Sequence, residues 1–253
     1  TGYQSIANIY AFNAGLLNAT VEAWVYFQAM PTVNTWASGA AVLFGVDSAS
    51  LTTGAHFVIG STNLFLVVTN TTYGGFAHGI TVATWNHVAY TVSNGTVNFY
   101  VNGILIGTTI NVPTTFTATT SYIATAAATA GYGLNGYISN LRITKSSTTY
   151  NTNFTPAGPF TTTKSAVLSV QATSASNVAL IACQNTLIGD NGYYGLTLTA
   201  GSGTYLNTSF YPDFTVANAS SGYFSINYGS STLVSSLQIP APASIVGTGN
   251  FTV

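Results

Sequence analysis

The sequence predicts an all-β fold, a sandwich or barrel, from three observations. Val88, Tyr90 and Val92 alternate with small or polar residues, and Val97, Phe99 and Val101 repeat the pattern. That is the period of strands with one buried face. Asn94-Gly95 lies between the two runs and Asn102-Gly103 follows the second. Asn-Gly marks a hairpin because both central residues of a type I′ turn need positive φ. No stretch shows a 3.6-residue apolar period, so almost no helix is expected.

The other elements follow from alternation and turn residues. Val21, Ala23, Val25 and Phe27 alternate with Glu22, Trp24, Tyr26 and Gln28, and both faces carry large apolar groups, as in an inner strand. Residues 41–46 and 56–59 read as short strands joined by a loop at 47–54, and 63–69 (NLFLVVT) as a stronger one. Tyr73-Gly74-Gly75 reads as a turn, and 80–82 lead into the central meander, which Pro113 ends. Strands are expected at 121–125 and 134–144, then an extended exit strap at 150–159. Past a boundary near 161–165, alternation continues at 166–170, 178–183, 194–199, 222–227, 233–239 and 250–253.

Composition excludes several functions. Hydrophobic residues make up 47% of the 253 positions, enough for a core, while charged residues are only 3% against roughly 25% in ordinary soluble domains. With three Lys or Arg in all, neither nucleic-acid binding nor a polybasic membrane contact is supported. No apolar run reaches the roughly 18 residues of a membrane span, so no insertion is expected. A net charge of −1 lets copies approach without repulsion and favours self-association. Cys183 is alone and reads as a small buried apolar residue. The chain opens with neither Met nor a signal-like segment, which reads as a processed product or a piece of a longer protein. The seven Asn-x-Ser/Thr sequons are what an Asn-, Ser- and Thr-rich chain produces by coincidence.

Residues 22–27 (EAWVYF), 84–103 (TWNHVAYTVSNGTVNFYVNG) and 136–145 (GYISNLRITK) together resemble the laminin-G-like, concanavalin A-like jelly-roll sandwich. With 150–156 (YNTNFTP) directly after the last strand, the pattern is similar to modules of phage and marine-virus structural proteins. Residues 179–192 and 209–214 resemble the spacer between such modules. The organisation expected is a sandwich at 1–160, a smaller β-rich linker domain at 161–220, and C-terminal strands at 221–253 that resemble the opening of a further module. The segment 247–253 (GTGNFTV) lines up with 15–21 (GLLNATV), and the first module lacks a full opening strand. An incomplete sandwich exposes an unpaired edge. Strand exchange between copies through Gly222, Tyr223, Phe224, Ile226, Tyr228, Leu233, Leu237, Ile239 and Phe251 would close it.

The chemistry points away from catalysis. Paired-carboxylate glycosidases place two acids about 5–5.5 Å apart. The four acids here, Glu22, Asp47, Asp190 and Asp213, are scattered, and Glu22 reads as a paired structural residue. His56, His78 and His87 lack metal-binding spacing, and the resemblance makes His87 structural. Gly131-x-Gly133-x-x-Gly136 opens no helix and reads as a turn. Calcium is common in laminin-G-like folds, and Asp47 is the weak candidate ligand, so no cofactor is expected beyond that ion. Trp24 and Trp85 read as core, whereas Trp36, Tyr73, Phe76 and Tyr132 fall in loops and form a candidate glycan platform. The expectation is therefore a non-enzymatic structural protein of a virion surface or extracellular fibre. Glycan-binding adhesion is the alternative, and a glycoside hydrolase the weaker one.

Overall fold

A computed structural model describes residues 4–6, 18–47, 52–116, 120–126, 131–145, 149–156, 178–183 and 198–200. Among them are thirteen strands and no helix. They are β1 (Gln4–Ile6), β2 (Asn18–Phe27), β3 (Ala41–Asp47), β4 (Ala55–Ile59), β5 (Asn63–Val68), β6 (Thr71–Ala77) and β7 (Trp85–Ser93). There follow β8 (Thr96–Val101), β9 (Ile104–Thr109), β10 (Thr120–Ile123), β11 (Gly136–Lys145), β12 (Val178–Ala182) and β13 (Leu198–Ala200). They form two antiparallel sheets, a seven-stranded one in the order β13-β1-β10-β3-β4-β5-β6 and a six-stranded one in the order β12-β11-β2-β7-β8-β9. This is an all-β jelly-roll sandwich.

The meander β7-β8-β9 forms as its sequence dictates. Asn94 and Gly95 take φ of 46° and 80°, and Asn102 and Gly103 take 49° and 77°. Val88, Tyr90, Val92, Val97, Phe99 and Val101 then share the inner face with Val21, Ala23, Val25 and Phe27 of β2. Leu43, Phe57, Ile59, Leu64, Leu66 and Val68 of the other sheet pack against them. Full burial of each large side chain contributes roughly 1.5–3 kcal/mol. The Tyr90 hydroxyl crosses this core and donates to the Val58 carbonyl at 2.8 Å, tying the sheets together.

Two expectations about the elements are corrected. Tyr73-Gly74-Gly75 is not a turn but lies within β6; the reversal falls at Thr69 and Asn70, both with positive φ. Gly74 serves close packing, since a Cβ there would meet the Phe99 ring at 2.7 Å. Asp47 is not a loop residue but the last residue of β3, paired with Thr120. β12 and β13 extend the two sheets at their ends. β12 pairs with β11 and β13 with β1, covering backbone edges that would otherwise be open. Leu180, Ala182 and Leu198 join the main core. The three-residue β1 lies between β10 and β13 in the seven-stranded sheet. Nine assembly positions, from Gly222 to Phe251, lie outside the described residues.

Candidate functional site

Two outer faces carry the side chains of interest. On the six-stranded sheet, Glu22 projects away from the core and is fully buried. Arg142, opposite it in the β2–β11 register, donates to its Oε1 through Nε at 2.8 Å and Nη2 at 2.5 Å. The Tyr150 hydroxyl donates to Oε2 at 2.8 Å, and His87 Nε2 lies 3.2 Å from the same oxygen. Burial pushes the carboxyl upward, but the Arg142 charge and the hydrogen bonds from His87 and Arg142 hold it below the ordinary carboxylate value. Both oxygens are occupied and screened from solvent, so this acid has no route to a substrate. The expectation of a paired structural acid describes this geometry.

The lid over this network is the strap at 149–156. Tyr150 and Phe154 stack with centroids 3.4 Å apart, and both rings lie edge-on to Tyr100. Phe154 also meets the edge of His87, which explains the structural role of that histidine. The Phe154 amide donates to the Gly103 carbonyl at 2.9 Å, and the Leu105 amide to Asn153 Oδ1 at 2.9 Å. A Cβ at Gly103 would run into the Phe154 carbonyl, so the turn glycine also makes room for the strap.

On the seven-stranded sheet the outer face holds a second apolar cluster: Ala40, Val42, Val58, Phe65, Val67 and Ala126, covered by Val33, Trp36 and Tyr132. Trp36 stacks on His56 at 4.6 Å and meets Tyr132 at 4.8 Å. The loop that carries Trp36 is pinned to the β4–β5 turn by Asn34. Its Oδ1 accepts the Thr62 and Asn63 amides at 2.8 and 3.0 Å, its Nδ2 donates to the Thr62 hydroxyl, and the Ser61 amide donates to the Val33 carbonyl. Tyr132 is fixed by its carbonyl, which accepts the Val42 amide at 3.0 Å. Two half-buried rings from distant sequence positions therefore form one rigid aromatic surface amid exposed Thr and Ser.

The four aromatic candidates do not form one platform. Trp36 and Tyr132 come together, while Tyr73 and Phe76 lie on strand β6, not in loops, and pack against the main core. Phe76 sits over Gly107 and beside Phe99, closing the side where β6 and β9 run together. Trp24 and Trp85 are corrected in the opposite sense: they are half-buried on the outer face of the six-stranded sheet. Trp85, Tyr26 and Tyr137 align across three adjacent strands, with centroid separations of 5.6 and 6.0 Å, and Trp24 lies in the next row against His87. Trp24 and Tyr26 alternate with Val21, Ala23, Val25 and Phe27 of β2 and so share the face opposite the core.

The remaining candidates have structural roles. His78 accepts the Ile80 amide through Nδ1 at 2.9 Å, and its Nε2 donates to the Gly60 carbonyl at 3.2 Å. Burial lowers its pKa, which the Gly60 contact only partly opposes. The Cys183 thiol packs against the core, and burial pushes it up to about 12, far from a thiolate nucleophile. Gly131 and Gly136 frame a turn that leads into β11, as expected. Among the described residues no three His, Cys, Asp or Glu side chains converge on a point that could hold a metal.

Residues 1–151 match the family model of the concanavalin A-like lectin/glucanases superfamily. The chain belongs to this superfamily. No curated protein sequence matches it. Among solved structures, a putative carbohydrate binding protein from Bacteroides ovatus is similar at 14% identity over 81% of this chain and 59% of that one, with a TM-score of 0.52. A heptameric SAP-like pentraxin from Limulus polyphemus is similar at 17% identity over 56% of this chain and 69% of that one, TM-score 0.42. Domains LG4-5 of the mouse laminin alpha1 chain are similar at 13% identity over 63% of this chain and 45% of that one, TM-score 0.41. The likeness lies in the superfamily's sandwich; side-chain chemistry belongs to each member.

Proposed function

We propose that this domain is a non-catalytic glycan-binding module of an extracellular or particle-surface protein, with Trp36 and Tyr132 as its contact surface. The observation that carries the reading is the convergence of these two rings on the outer face of the seven-stranded sheet, on a loop that Asn34 braces in place. Aromatic rings stack on the apolar faces of sugars, and preorganised rings lose little entropy on binding. Support for binding without hydrolysis comes from Glu22, whose carboxylate is sealed beneath the strap. Carbohydrate affinity electrophoresis with the full chain tests the proposal. Trp36→Ala should weaken retention roughly tenfold or more, and Trp36→Phe should restore part of it. Equal retention of wild type and Trp36→Ala would refute this surface.

A second reading, a self-assembling fibre or virion subunit, is favoured by the 3% charge content and by the resemblance of 221–253 to an opening module segment. The two roles are compatible. Deleting residues 222–253 should then convert polymers into monomers in analytical ultracentrifugation; polymers that persist would remove strand exchange.

A further inference from the structure

We propose that the Trp36–Tyr132 face selects neutral oligosaccharides and discriminates against sialylated, uronic and sulfated ones; this rests on the glycan-binding reading above. Recognition of a carboxylate or sulfate in a protein site draws its strength from charge-assisted hydrogen bonds, chiefly with Arg or Lys. The chain has three such residues. Arg142 is 2% exposed, committed to Glu22, and lies on the other sheet. Lys145 ends β11, also on the other sheet, opposite Ala19. Lys164 lies outside the described residues.

The described strands of the seven-stranded sheet contain no Lys or Arg, and their one acidic residue is Asp47. Histidine does not fill the gap. His56 is 1% exposed beneath the Trp36 ring, and both ring nitrogens of His78 are spent on backbone groups. An anionic sugar placed on this face would give up its hydration and meet no positive partner among the described residues, which is unfavourable. A neutral sugar meets aromatic faces and uncharged Thr, Ser and Asn groups, and needs nothing else. Binding should accordingly be insensitive to salt, since the described residues of this face offer no cation for an ion pair.

The test uses the full chain and matched ligand pairs, lactose-terminated against sialyllactose-terminated glycans and neutral against uronic oligosaccharides, immobilised on one array. The neutral member of each pair should bind roughly tenfold or more tightly, changing less than about twofold between low salt and ~1 M NaCl. The exposed Thr35 beside Trp36 allows a gain-of-function variant. Thr35→Lys should raise binding of the acidic member several-fold in a salt-sensitive way and so narrow the gap between the two members of each pair. Acidic ligands bound as tightly as neutral ones by the unaltered protein would overturn the selectivity and leave glycan binding intact. Binding to neither class would overturn both.

Discussion

Removing the Glu22 carboxylate leaves the Arg142 guanidinium buried without its counter-charge. Glu22→Ala should therefore destabilise the protein by about 3–5 kcal/mol in urea unfolding, because an unpaired buried charge is far costlier than a lost surface pair. A change under about 0.5 kcal/mol would contradict this network. Acid should act through the same residue and through His78. His78 has its pKa lowered below 6.5 in the folded state, so its contribution is complete above that value and is lost as pH falls below it. Glu22 is lowered below 4.5, so its contribution is complete above 4.5 and is lost as pH falls through the folded value. Both signs agree: melting temperatures should fall from pH 7 to 5 and again below pH 4.5. Stability that rises on acidification would contradict both assignments. Part of this was legible in sequence. A lone acid in an apolar strand must be paired, but the partners Arg142, His87 and Tyr150 stand 65 to 128 residues away, and no local spacing identifies them.

Elements show where sequence patterns suffice and where they do not. Asn94-Gly95 and Asn102-Gly103 fix their hairpins because the turn chemistry is local. Tyr73-Gly74-Gly75 misleads because Gly74 answers a tertiary demand, the approach of the Phe99 ring to β6. Trp24 and Trp85 mislead because period-two alternation says which residues share a face, not which face is inward when both are apolar. The strap and the second hairpin meet at Gly103. Gly103→Ala should cost more than about 1 kcal/mol, since the new methyl faces the Phe154 carbonyl and φ is positive. Wild-type unfolding by that variant, followed by near-UV circular dichroism, would mean the strap packs elsewhere.

At the scale of the molecule, β12 and β13 draw residues beyond 160 into the two sheets. Pairing across such distances leaves no mark in either strand's own sequence, which is why the sandwich was legible and its edges were not. The convergence of Trp36 with Tyr132, 96 positions apart, is invisible for the same reason. The most direct measurement is a map of backbone amide shifts while a neutral oligosaccharide is titrated into the full chain. The largest changes should fall at 33–40, 56–58 and 131–134, around Trp36, His56 and Tyr132. Changes confined to the row of Trp85, Tyr26 and Tyr137 would place the ligand on the opposite sheet and contradict the assignment.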